Sequence, residues 1–117
     1  KKLTKIDIPN SVTIIERSMF DECESLEEVV LPIGIKRIRM GAFYECVSLK
    51  EVIIPEGVEK IGSFAFYNCK KMRKIRIPLS VVEIGSYSFY KGTTLVLNEG
   101  SSLIKSCEVD DISFIVE

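Results

Sequence analysis

The stretch that decides the fold is Val52–Cys69, Val-Ile-Ile-Pro-Glu-Gly-Val-Glu-Lys-Ile-Gly-Ser-Phe-Ala-Phe-Tyr-Asn-Cys. Its apolar residues change period along the way. Val52 and Ile54 alternate as in a short strand, and Pro55 then ends the strand because it has no N–H to give to a ladder. Val58 and Ile61 mark a second short extended segment, and the three-residue spacing of Phe66 and Cys69 fits one helical or 3₁₀ turn. Two strands and a turn in so few residues leave no room for paired helices. They suit a coil wound once around a flat core.

The same stretch recurs in steps of 23 residues in both directions. Leu3, Leu26, Leu49, Met72 and Leu95 fall in one column. Ile6, Val29, Val52 and Ile75 form the next, then Ile8, Leu31, Ile54 and Ile77, then Pro9, Pro32, Pro55 and Pro78. Val12, Ile35, Val58 and Val81 follow, then Ile15, Ile38, Ile61 and Ile84. Phe20, Phe43, Phe66 and Phe89 close each turn, with Cys23, Cys46 and Cys69 three residues later. One turn alone exposes its apolar side. Stacked at the strand spacing of about 4.8 Å, successive turns bury it. Seven or eight inward side chains per turn, at roughly 1.5–3 kcal/mol each on burial, offset most of the cost of ordering the backbone.

These columns resemble the BspA-like, or Treponema-type, leucine-rich repeats. The resemblance covers residues 3 to about 94, and Val52–Cys69 reproduces the motif I/V-x-I/L-P-x-x-V-x-x-I-G-x-x-A-F-x-x-C in full. Other leucine-rich repeats place Asn where this chain has Ser11, Gly34, Gly57 and Ser80, so the Asn ladder is absent, as in that subfamily. The expectation is a β-rich solenoid: a right-handed superhelix of four 23-residue turns over residues 1–94, with a C-terminal cap over 95–117 in the same domain. The resemblance further implies a bacterial cell-surface or secreted protein with a role in adhesion or host contact.

The C-terminal stretch departs from the repeat. Lys91-Gly92 replaces the expected x-Cys pair, and Leu95-Val96-Leu97 reads as a strand. Ser101 and Ser102 are candidate N-caps for a short helix to about Val109, and Ile112–Val116 alternates like an edge strand. At the other end Lys1 and Lys2 precede Leu3 directly. An uncapped solenoid end exposes apolar surface and open strand edges, so the expectation there is either further repeats upstream or self-association through this end. No leader is legible in the first residues, which already belong to a repeat.

Composition excludes several classes. Sixteen basic and 17 acidic residues give a net charge of -1, which supplies no general pull toward nucleic acid. No run of apolar residues is long enough to span a membrane. The chain has no His, so a Ser or Cys nucleophile would lack its usual base and a zinc site its usual partner. No Gly-rich phosphate loop is present, and Gly57 and Gly62 read as turn glycines. No catalysis, no metal and no cofactor is expected. The Cys column has two readings, a soft-metal or redox site and a small residue filling the bend. C-x-x-C spacing is absent, and stacked turns hold the Cβ atoms farther apart than a disulfide wants.

Two surfaces remain for binding a protein or glycan. Tyr44, Tyr67 and Tyr90 each follow the core Phe, in the column that Asp21 begins. Stacked rings there could dock a peptide or a sugar, or could simply cover the bend. The outward positions of the first strand form the second surface, with Glu28 and Val30, then Glu51 and Ile53, then Arg73, Lys74 and Arg76. Acidic residues gather around Asp21–Glu28 and basic ones around Lys70–Arg76. Such charges either stay solvated or steer partners of opposite sign. The competing reading is a structural spacer whose repeats bind nothing.

Overall fold

A computed structural model describes residues 4–117. Lys1, Lys2 and Leu3, on which the expected uncapped edge rests, lie outside the described residues.

The chain winds as a three-sided coil. The first side carries β1 (Lys5–Asp7), β3 (Glu28–Val30), β5 (Glu51–Ile53) and β7 (Lys74–Arg76). The second carries β2 (Ile14–Ile15), β4 (Arg37–Ile38), β6 (Lys60–Ile61) and β8 (Glu83–Ile84). All pairings are parallel, and the register steps by 23 residues: Ile6 faces Val29, Val29 faces Val52, and Ile15, Ile38, Ile61 and Ile84 follow one another. The Pro column sits between the two sides, where its carbonyls accept the N–H three residues on, Ile35 to Pro32 and Val81 to Pro78 among them. Proline thus both ends a strand and starts a turn.

The third side is not a helical turn, contrary to the reading of A-F-x-x-C. It is a run of tight turns laddered to the next turn of the coil. Ser18 N–H donates to the Met40 carbonyl, Phe20 to Ala42 and Glu22 to Tyr44, and the step repeats at Gly41, Phe43 and Glu45. Residues four apart along this ladder stand in the left-handed region. Ser18, Gly41, Phe64 and Tyr87 form one positive-φ column, and Glu22, Glu45 and Asn68 form another. The inward aromatics stack continuously, with ring centroids 5.3 Å apart for Phe20–Phe43, 5.2 Å for Phe43–Phe66 and 5.4 Å for Phe66–Phe89.

After β8 the period breaks. Leu95 lies opposite Ile75, not in the Leu3–Met72 column where the 23-residue step puts it. The loss of the Cys turn accounts for this. Ile75 is nine residues on from Phe66, whereas Leu95 is only six on from Phe89. Thr93 stands in the shortened corner, its hydroxyl donating to the Met72 carbonyl at 2.6 Å. β9 (Thr94–Leu97) then pairs with β7, and β10 (Phe114–Val116) pairs with β9, both parallel. Helix α1 (Ile104–Val109) lies between them, with Leu103 and Cys107 buried. The helix starts later than the two serines suggested. Leu103 is its N-cap residue and has no side-chain cap bond, while Ser101 Oγ accepts the Leu103 N–H at 3.1 Å just ahead of it. The first side therefore reaches six strands, split into two three-stranded sheets between β5 and β7.

Candidate functional site

The Cys column resolves into packing. Cys46 and Cys69 are buried, and each thiol donates to the carbonyl of a Phe one turn back: Sγ of Cys46 lies 3.1 Å from Phe20 O, and Sγ of Cys69 lies 3.3 Å from Phe43 O. Burial pushes both thiols up to about 12 from an ordinary 9.0, and it raises Cys23 and Cys107 as well. A thiol held protonated is a poor nucleophile and a poor metal ligand. All four cysteines are free, and among the described residues no group of His, Cys, Asp and Glu gathers as a metal site would need. Gly57 is a turn glycine with φ of 105°. Gly62 is not: a Cβ there would stand 2.6 Å from the backbone N of Met40, so the close approach of two turns requires the glycine.

The missing Asn ladder has a partial substitute. Ser80 Oγ accepts the Gly57 N–H at 2.9 Å and donates to the Val58 carbonyl at 2.8 Å, tying two turns together at the corner where an Asn would stand.

On the third side Tyr44 and Tyr67 stack at 5.2 Å and 12°. Two rings not singled out in the sequence join them. Phe64 meets Tyr67 edge-on at 5.4 Å and Tyr44 edge-on at 6.4 Å, and it stacks on Tyr87 at 5.6 Å. Tyr44, Phe64 and Tyr67 are half-buried, while Tyr87 is 71% exposed. The positive-φ column carries Phe64 and Tyr87 outward into this ridge, which is why period-based reading of inward positions passed over them. Tyr90 belongs elsewhere. Its ring packs over Gly92, where a Cβ would lie 2.7 Å from Tyr90 Cε2, and no ring pair among the described residues joins it to the ridge.

On the first side Val30 and Ile53 face each other in register, 46% and 56% exposed. Glu28 faces Glu51, and Lys5 relieves that like-charge pair from the other side through an ion pair at 3.8 Å. Arg73 and Lys74 are exposed. Arg76 is engaged by Glu117 at 2.7 Å, across buried Val96. Sequence-read residues thus form two groups on different sides of the coil, tyrosines on one and charged and aliphatic residues on the other.

A coil of this period, with its Pro corner and Phe–Cys bend, matches one family description, the BspA type leucine rich repeat region in six copies, over residues 1–112. The chain belongs to the BspA-type leucine-rich-repeat family. Among solved structures it is similar to a leucine-rich repeat protein from Bacteroides ovatus, with 22% identity and a TM-score of 0.51 over 99% of this chain. The match spans 45% of that protein and speaks for the fold. No curated protein matches the chain. The BspA-type match runs through β9 and α1, so family sequence extends past the break in the period. No helix among the described residues is long and apolar enough to cross a membrane.

Proposed function

We propose that this chain is an interaction module that does no chemistry of its own, part of a bacterial cell-surface or secreted protein, and that it contacts a protein or glycan through the ridge of Tyr44, Phe64, Tyr67 and Tyr87. One observation carries the reading. Phe64 and Tyr87 occupy left-handed backbone positions, with φ of 60° and 56°, in a column that Gly41 and Ser18 fill without a ring one and two turns before Phe64. A bulky L-residue there costs about 1–2 kcal/mol, and the rings point into a solvent-facing cluster and not into the Phe stack. Strain retained for the sake of exposed rings is what a contact surface requires, and stacked Tyr and Phe faces suit sugar rings or peptide side chains. Non-catalytic character is supported by the absence of His from the sequence and by thiols held protonated through burial.

The test is a glycan array and a panel of purified extracellular-matrix proteins, probed with the native chain and with a Phe64→Gly/Tyr87→Gly variant. Glycine relieves the backbone and so offsets part of the ring packing lost; the variant should still fold cooperatively, melting within about 5 °C of the native chain, while losing at least about tenfold in binding. Binding that ignores the substitutions overturns the ridge. No binding on either panel favours the spacer reading, in which the repeats only hold their neighbours apart.

A further inference from the structure

The coil closes unevenly at its C-terminal end. On the first side β9 and β10 extend the stack beyond β7, but on the second side it stops at β8. On the third side the ladder donates forward, Gly41 to Ser63 and Phe64 to Ser86, Phe43 to Ala65 and Phe66 to Ser88. The same step leaves the N–H groups of Tyr87 and Phe89 at an edge, where neither donates to any acceptor among the described residues. On the second side the ladder runs the other way. Glu59 donates to Lys36 and Val82 to Glu59, while Gly62 donates to Ile38 and Gly85 to Ile61. By that step the carbonyls of Val82 and Ile84 face the same open edge with no donor from a following turn. A groove of about 470 Å³ runs beside it, walled by Ile84–Lys91 on one side and by Asp110–Ser113 on the other.

We propose that this groove binds an extended basic peptide, which adds to the open edge as the backbone of a further turn would. An edge offering main-chain acceptors and then main-chain donors is satisfied by another extended main chain. Asp110 and Asp111 on the far wall outnumber Lys91 at the end of the near one and select positive side chains, and Tyr87 and Tyr90 give lysine or arginine stems an aromatic surface to lie on. A second copy of this chain fits less well. Its first turn brings Asp21, Glu22 and Glu24 on the third side toward Asp110 and Asp111. β10 also already extends the first side, so the two coils could not seat squarely.

The experiment titrates a labelled short peptide alternating Lys and Val, and a Glu–Val control, against the ¹⁵N-labelled chain by fluorescence anisotropy and amide spectra. The Lys–Val peptide should bind and the control should not. The largest shift changes and slowed exchange should fall on the amides of Tyr87 and Phe89. Asp110→Asn with Asp111→Asn should weaken binding about fivefold; Asn tolerates the positive φ of 57° that Asp111 holds, so the variant keeps its fold. Absence of binding, an unchanged affinity in that variant, or shifts confined to other sides of the coil overturns the proposal, as does a stable dimer that occupies the edge. Tyr87 borders both surfaces, whereas Tyr44 and Tyr67 border the ridge alone; Tyr44→Ser with Tyr67→Ser should therefore leave the peptide affinity unchanged, which tells a failure of the ridge from a failure of the groove.

Discussion

Three single residues show how little freedom the stacked turns leave. Removing the thiol of Cys46 leaves the Phe20 carbonyl with only the Cys23 N–H, at 3.4 Å, so Cys46→Ala should cost about 0.5–1.5 kcal/mol, and Cys46→Ser, which keeps a donor, less. Denaturant titration of the pair checks the ordering; an equal loss would mean the thiol only fills space. The raised thiols carry a pH dependence of definite sign. Their folded-state value of about 12 exceeds the ordinary 9.0, so the fold favours the protonated form. That contribution is whole below about pH 9 and fades as pH rises toward about 12. Melting curves across this window should fall more steeply for the native chain than for Cys46→Ala/Cys69→Ala. At Gly62 an added methyl meets the Met40 backbone, which no rotamer change can relieve. Gly62→Ala should cost about 1–3 kcal/mol by thermal melting, although Arg39 carries a side chain in the same column one turn earlier.

At the scale of elements, no strand among the described residues exceeds four residues and none is stable alone. What fixes them is the continuity of side-chain stacks from turn to turn. The Phe stack is the longest, and Phe43 and Phe66 at its centre are fully buried. Phe66→Ala should therefore cost about 3–5 kcal/mol, as core truncations of this size do. Phe20→Ala, at the half-buried end of the stack, should cost less than half as much; equal losses would show that the stack has no privileged centre. The strands themselves were legible from alternation and Pro. The third side was misread because a three-residue apolar spacing is common to a helical turn and to a run of tight turns. Only the inter-turn bonds, and the positive φ they impose, distinguish the two.

At the scale of the molecule, the ion pairs among the described residues are few and exposed. Lys5–Glu28, Arg39–Glu16, Lys60–Glu83 and Arg76–Glu117 run between turns with half-exposed side chains on both partners. Pairs of this kind contribute little, so raising NaCl from low to molar levels should move Tm by no more than about 2–4 °C. A larger fall would mean that charge between turns matters more than packing. Repetition by itself determined the period, the two strand columns, the inward columns and the family, because a core shared between identical turns forces the same residue type back at the same step. It determined the first-strand surface as well, since a strand's outward residues follow from its inward ones. The ridge and the open edge were decided only by tertiary structure. Phe64 and Tyr87 reach the surface through a backbone conformation that residue type does not announce. Tyr90 leaves its column because the last corner is three residues shorter. The groove exists because β9 and β10 continue one side of the coil while α1 replaces the other two, a mismatch between sides that no single-column reading of a repeat contains.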